Sequence, residues 1–188
     1  MNWGGDRAVF QTTSGGYDYV TITSAGNASD FGNLSTSHNH DRGAASSSKT
    51  RGIFAGGSQA GTLTNIIEYI TIATLGDGTD FGDLSGTFYY FASASNGTRS
   101  LFGGGFKDGA SSSNRTNEIS YITIATTGNT TDFGDLNNSI NGCTAGSDAT
   151  YILFFGGNGT INVIDYVTAM TTGNATDFGD MTYASQEH

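Results

Sequence analysis

The sequence predicts an all-β chain in which one four-stranded antiparallel sheet is repeated four times. Three observations carry that expectation. A sixteen-residue phrase recurs as YVTITSAGNASDFGNL from Tyr19, YITIATLGDGTDFGDL from Tyr69, YITIATTGNTTDFGDL from Tyr121 and YVTAMTTGNATDFGDM from Tyr166. The offsets of 50, 52 and 45 residues lie in the range of stacked supersecondary units. Second, no apolar stripe at helical spacing runs for three turns, while Ile, Thr, Tyr and Val crowd into short runs that suit strands. Third, 29 residues are Gly and none is Pro, so Gly, Asn and Asp must make the turns.

Within a unit the elements follow in order. Strand a is small and polar, as in 43–47 or Ala92-Ser93-Ala94-Ser95. Strand b is expected over 51–57 and 99–105, ending in a Gly-Gly pair. Strand c is expected over 66–74 and 119–126. It carries apolar side chains at both parities, Ile67 and Tyr69 on one face and Ile66, Ile70 and Ile72 on the other, so it needs cover on both sides. Strand d is the Asp-Phe-Gly-Asp piece, where Phe reads as a core plug and Gly lets the backbone bend. Sheets packed face to face around an axis supply the double cover, which predicts a β-propeller of four blades. The small residues of strand a suit the crowded axis.

The Gly-Gly pairs Gly56-Gly57, Gly104-Gly105 and Gly156-Gly157, each followed by a strand with Tyr and then an aromatic (Phe81, Phe133, Phe178), resemble the kelch repeat of β-propellers. Copy one has Thr12-Thr13 in place of the glycines and Phe31 as its aromatic. The phrase also looks like repeats in large bacteriophage virion and tail-fibre proteins. The resemblance implies a four-bladed kelch-like β-propeller, a single domain over 1–188 with units near 1–42, 43–91, 92–142 and 143–188. By register, Met1 falls opposite Ser93 and His188 opposite Phe91, so the chain holds a whole number of periods. A ring closed within one chain, an eight-bladed ring of two chains and a piece of a longer array all satisfy that arithmetic.

Net charge is −10, with seven Lys and Arg, which argues against a nucleic-acid partner. Eight of the seventeen acids sit in the repeated phrase, so the acidity is partly a product of the repeat. No apolar run is long enough for a membrane span, and MNWGGDRAVF does not read as a secretory signal. Cys143 is the sole cysteine and reads as a small buried filler. Sequons at Asn27, Asn96, Asn129, Asn158 and Asn174 are expected by chance in so Asn/Ser/Thr-rich a chain.

Chemistry-bearing patterns are few. Asp-Phe-Gly shares its letters with the metal-binding triplet of protein kinases, but four evenly spaced copies without a catalytic-loop pattern remove that reading. The spacing Asp77-x-x-Asp80-x-x-Asp83 suits either a calcium loop or, as we prefer given Asn27, Asn129 and Asn174 in the other copies, Asx-turns. His38 and His40 lie at i and i+2 and are expected in a solvated loop. Asp108 and Glu118 offer no carboxylate pair for a glycosidase, and no catalytic residue, metal ligand or cofactor is assigned.

Strand direction alternates, so the b–c and d–a loops share one face, and the b–c loop varies most in length. From Phe10 to Tyr19 it spans nine residues and from Phe102 to Tyr121 nineteen. Variable loops on one face of a repeat protein mark its binding side. The candidate ligand-binding residues there are Trp3, His38, His40, Tyr89, Tyr90 and Phe106. The expected function is non-enzymatic: a structural or adhesive module of a virion tail fibre or extracellular assembly, with protein partners. The alternative is a lectin-like module for a cell-surface glycan. A homo-oligomer is compatible with either.

Overall fold

The computed structural model describes residues 6–13, 15–35, 40–59, 61–158 and 161–184. Among the described residues the elements are strands, apart from one 3-10 turn at Ser112–Asn114 in the loop before Thr116–Thr123. Copies two to four each form an antiparallel meander in the order a, b, c, d. Copy two uses Ala44–Ser47, Arg51–Ala55, Ile66–Thr71 and Thr79–Asp83. Copy three uses Ala92–Ser95, Arg99–Gly103, Thr116–Thr123 and Thr131–Ile140. Copy four uses Thr144–Ser147, Tyr151–Phe155, Val163–Thr168 and Thr176–Asp180. Copy one shows three strands, Arg7–Gln11, Gly16–Thr21 and Ser29–Asn33. By register its strand a would fall on 1–3, outside the described residues.

Strands b and c stop short of the expected ends. Gly56 and Gly57 have φ of 59° and 94°, which turn the chain away after Ala55. Strand c ends where Thr74 and Thr126 close turns onto Thr71 and Thr123. Cover on both faces of strand c is observed, since Ile67 and Ile70 point to opposite sides and both are buried.

The apolar cores lie between sheets rather than within them. Tyr17, Phe31 and Leu34 of copy one meet Phe54 and Ile70 of copy two. Ile53, Phe81 and Leu84 of copy two meet Phe102, Ile122 and Ile124 of copy three. Leu101, Phe133 and Leu136 of copy three meet Ile152, Phe154, Val167 and Ala169 of copy four. The a strands line up in a row, with Ala92–Ser95 between Ala44–Ser47 and Thr144–Ser147. Their small side chains allow the approach: Ser95 Oγ donates to Ser47 O at 2.5 Å, and Ser147 Oγ to Ser95 O at 2.7 Å.

Each junction between sheets is the same device. In every sheet strand d bulges at the Phe of Asp-Phe-Gly, leaving that residue outside the ladder pairing, as Ile67 opposes Gly82 and Glu68 opposes Asp80 with Phe81 skipped. The freed carbonyl is taken by the next copy. Gly76 N donates to Phe31 O at 2.9 Å, Gly128 N to Phe81 O at 2.7 Å and Gly173 N to Phe133 O at 2.7 Å. The Asx side chain beyond that glycine accepts the preceding copy's amide: Asn33 N to Asp77 Oδ1 at 2.8 Å, Asp83 N to Asn129 Oδ1 at 3.0 Å, Asp135 N to Asn174 Oδ1 at 3.1 Å. These Asx residues therefore tie neighbouring sheets, where the sequence reading expected local Asx-turns.

Arginine completes the junction. Arg7, Arg51 and Arg99 lie over Tyr19, Tyr69 and Tyr121 of their own copies, with the guanidinium carbon 4.8, 4.2 and 4.2 Å from the ring centroid. Each also donates forward, to Ile72 O at 3.0 Å, Ile124 O at 2.8 Å and Ala169 O at 3.3 Å. Among the described residues no hydrogen bond of these kinds links the fourth sheet to the first.

Candidate functional site

The b–c and d–a loops do meet on one face, as alternating strand direction requires. Phe88–Tyr89, from the d–a loop of copies two and three, pairs with Phe106–Lys107, which opens the long b–c loop of copy three. Asp41 and Ser58 form the corresponding bridge one copy earlier. The pairing gathers aromatics: the Tyr89 ring lies 4.6 Å from Tyr90 and 6.3 Å from Phe106. Arg42 lies across both tyrosines, 5.5 Å from the Tyr89 centroid and 5.0 Å from that of Tyr90, and donates to the Tyr89 hydroxyl.

Arg42 and Tyr90 occupy equivalent positions just before strand a, both with φ of 55°. The third member of that series is Gly142, with φ of 67°. A run of main-chain bonds imposes the conformation, since Tyr90 N donates to Arg42 O and Gly142 N to Tyr90 O, each at 2.8 Å. An L side chain there costs about 1–2 kcal/mol, which glycine avoids. Two copies thus keep strained side chains that touch each other where the third relaxes to glycine.

Beside this cluster lies a polar depression of about 540 Å³ lined by Gln11, His40, Asp41, Arg42, Ser58 and Gln59, among others. Arg42 and Asp41 are exposed there. Of the six sequence candidates, Tyr89, Tyr90 and Phe106 come together, and His40 reaches the same face. Trp3 and His38 lie outside the described residues. Phe106 is buried, so it anchors the tyrosines from below and does not itself present to a ligand. His40 is no solvated loop residue: it is 8% exposed, because it packs against the buried carboxylate of Glu68.

Sequence reasoning missed Glu68, which is fully buried. It accepts from the Tyr17 and Ser35 hydroxyls and from Ser35 N at 2.9 Å. His40 Nε2 stands 3.3 Å from its Oε1, in ion-pair range, while Nδ1 lies 2.7 Å from Gly56 O. Burial pushes the Glu68 carboxyl up, but His40, Ser35 and Tyr17 together outweigh it and hold it below the usual range. Burial, followed by the Glu68 charge, pushes the Tyr17 phenol far above its ordinary value.

The Glu68 arrangement recurs and is therefore a latch between sheets. The residue after the strand-d Leu is held by a carboxylate of the next copy: Ser35 by Glu68, Ser85 by Glu118 at 2.5 Å, and Asn137 by Asp165 at 2.6 and 2.9 Å. A visible signal was the acid before the phrase's Tyr in copies one, two and four: Asp18, Glu68 and Asp165. Glu118 is further occupied by Lys107 at 2.6 Å, and Asp108 accepts from Thr87 N at 3.0 Å. Among the described residues no group of three or more His, Cys, Asp and Glu comes together as metal ligands would. No family model and no curated protein sequence matches the chain.

Proposed function

We propose that the chain is a non-enzymatic binding module whose four sheets are kelch-like propeller blades serving a structural or adhesive role in a virion or extracellular assembly. It engages its partner through the face that carries Arg42, Tyr89 and Tyr90. The observation behind this reading is the retention of strained Arg42 and Tyr90 where copy four uses Gly142. Backbone strain of that kind collects where a side chain is needed for something other than folding. Four sheets joined by three copies of one junction support the blade reading.

The lectin-like reading gains from one feature: exposed Arg42 joins Gln11, Asp41 and Gln59 as hydrogen-bonding groups beside an aromatic platform. That combination suits a polyhydroxylated ring.

The test separates folding from binding. Changing Tyr90 to Gly relieves the left-handed strain, so stability should stay within about 1 kcal/mol of wild type. Binding on a glycan array, or to the partner in an assembled particle, should be lost. A Tyr90→Gly chain that unfolds like a core mutant would make the ring structural and retire the proposal. A wild-type chain that binds no sugar would retire the lectin-like reading alone.

A further inference from the structure

Three junctions use up three Asp-Phe-Gly bulges, and the fourth bulge faces outward. Phe31, Phe81 and Phe133 are each 2% exposed, whereas Phe178, in the same bulge with the same edge contact to its tyrosine, is 63% exposed. Gly179 has nothing within 4 Å of where a side chain would begin, although its counterparts Gly32, Gly82 and Gly134 press against the next copy's backbone. Around Phe178 lies an apolar depression of about 660 Å³ with Tyr151, Leu153, Phe155 and Tyr166 in its wall.

The opposite end of the row shows the other half of the same junction. Ile22 is 66% exposed, while of its counterparts Ile124 and Ala169 are buried at 1% and 0% and Ile72 is half-buried. Gly76, Gly128 and Gly173 each donate to the preceding copy's Phe carbonyl, whereas their counterpart Gly26 makes no such bond among the described residues. Asn27 stands where Asp77, Asn129 and Asn174 accept the preceding copy's amide, and it makes no such bond among the described residues.

We infer that the chain associates head to tail with a second copy of itself, the Phe178 face of one chain seating on the Ile22–Asn27 face of the next. The occupant is chosen by continuity: an interface built three times within the chain is left as two complementary halves at its ends. At the inter-chain junction Tyr151, packed edge-on against Tyr166, replaces the arginine and Met181 replaces the strand-d Leu, so an aromatic ring would meet Ile22 where other junctions have a guanidinium on a carbonyl. Such an interface is heterologous and yields a ring if the rotation closes, or a filament if it does not. The net charge of −10 opposes association, so added salt strengthens it.

The experiment uses the full chain and two single variants, Phe178→Asp and Ile22→Asp, each at an exposed position. Mass photometry at nanomolar and sedimentation at tens of micromolar read the mass. Wild type should reach two chains or more. Each variant alone should associate at least tenfold more weakly, and an equimolar mixture should regain a complex that stops at two chains, because one intact junction remains between them. Wild type that stays monomeric throughout would overturn the inference, whether a chain terminus, the first sheet or another protein covers Phe178. Variants that associate like wild type, or a mixture that does not, would overturn it equally.

Discussion

The close approach of backbone to backbone between copies two and three gives the sharpest test. Gly82 and Gly179 hold the same place in their bulges, with φ of 143° and 134°. A Cβ on Gly82 would stand 2.5 Å from the carbonyl carbon and oxygen of Gly128 and 2.9 Å from Asn129 N, all backbone atoms that cannot rotate aside. On Gly179 it would meet nothing. Both Gly→Ala changes carry the left-handed strain, about 1–2 kcal/mol. Only Gly82→Ala must also push the sheets apart, and the bonds along that seam are Gly128 N to Phe81 O at 2.7 Å, Thr130 N to Asp83 O at 2.8 Å and Asp83 N to Asn129 Oδ1 at 3.0 Å. At about 1 kcal/mol for each bond weakened, Gly82→Ala should cost roughly 2–3 kcal/mol more than Gly179→Ala. Urea unfolding of both variants at nanomolar chain, followed by Tyr and Trp fluorescence, measures the difference. Equal losses would refute the idea that the bulge glycine is required by the neighbouring sheet.

Two other outcomes follow from the buried groups. Glu68 has a depressed carboxyl, so its contribution is fully present above the unfolded carboxylate value of about 4.3 and is lost as pH falls through the lower folded value. Glu68→Gln should therefore cost about 1–3 kcal/mol at pH 7, with the gap to wild type narrowing toward pH 3 in urea titrations; a gap that stays constant with pH would contradict the latch. Cys143 is half-buried, its surroundings push the thiol up to about 12 by desolvation, and its Sγ lies 3.6 Å from Gly103 O. The folded chain should resist iodoacetamide at pH 8 and react only as urea unfolds it; rapid labelling of native protein, followed by mass, would contradict that burial.

The repeat itself was plain in the sequence because each junction residue recurs at one register: Phe in the bulge, Gly after it, Asx before the phrase's Thr or Ser. Strand c announced its double cover through apolar residues at both parities. What the sequence concealed was direction. Asp77, Asn129 and Asn174 read as local turn formers because side-chain partners 39 to 46 residues away leave no local signature. His40 read as solvated because its partner, Glu68, belongs to another copy and looked like one acid among many. The Tyr89, Tyr90 and Phe106 cluster was legible as an aromatic-rich variable face, yet Arg42 was not singled out, since a positive φ has no sequence mark when the residue is not glycine. Phe106 read as a ligand-facing residue, yet the short ribbon with Phe88–Tyr89 buries it, which spacing alone does not reveal.

The bulged strand d has an evolutionary corollary. Because each interior unit, copies two and three, hands on an unpaired carbonyl and also takes up the one before it, duplicating a stretch of about fifty codons inserts a unit that fits its neighbours without any compensating substitution. Selection can therefore tune the size of the molecule by copy number, while the loops that differ among units are left to diverge on their own.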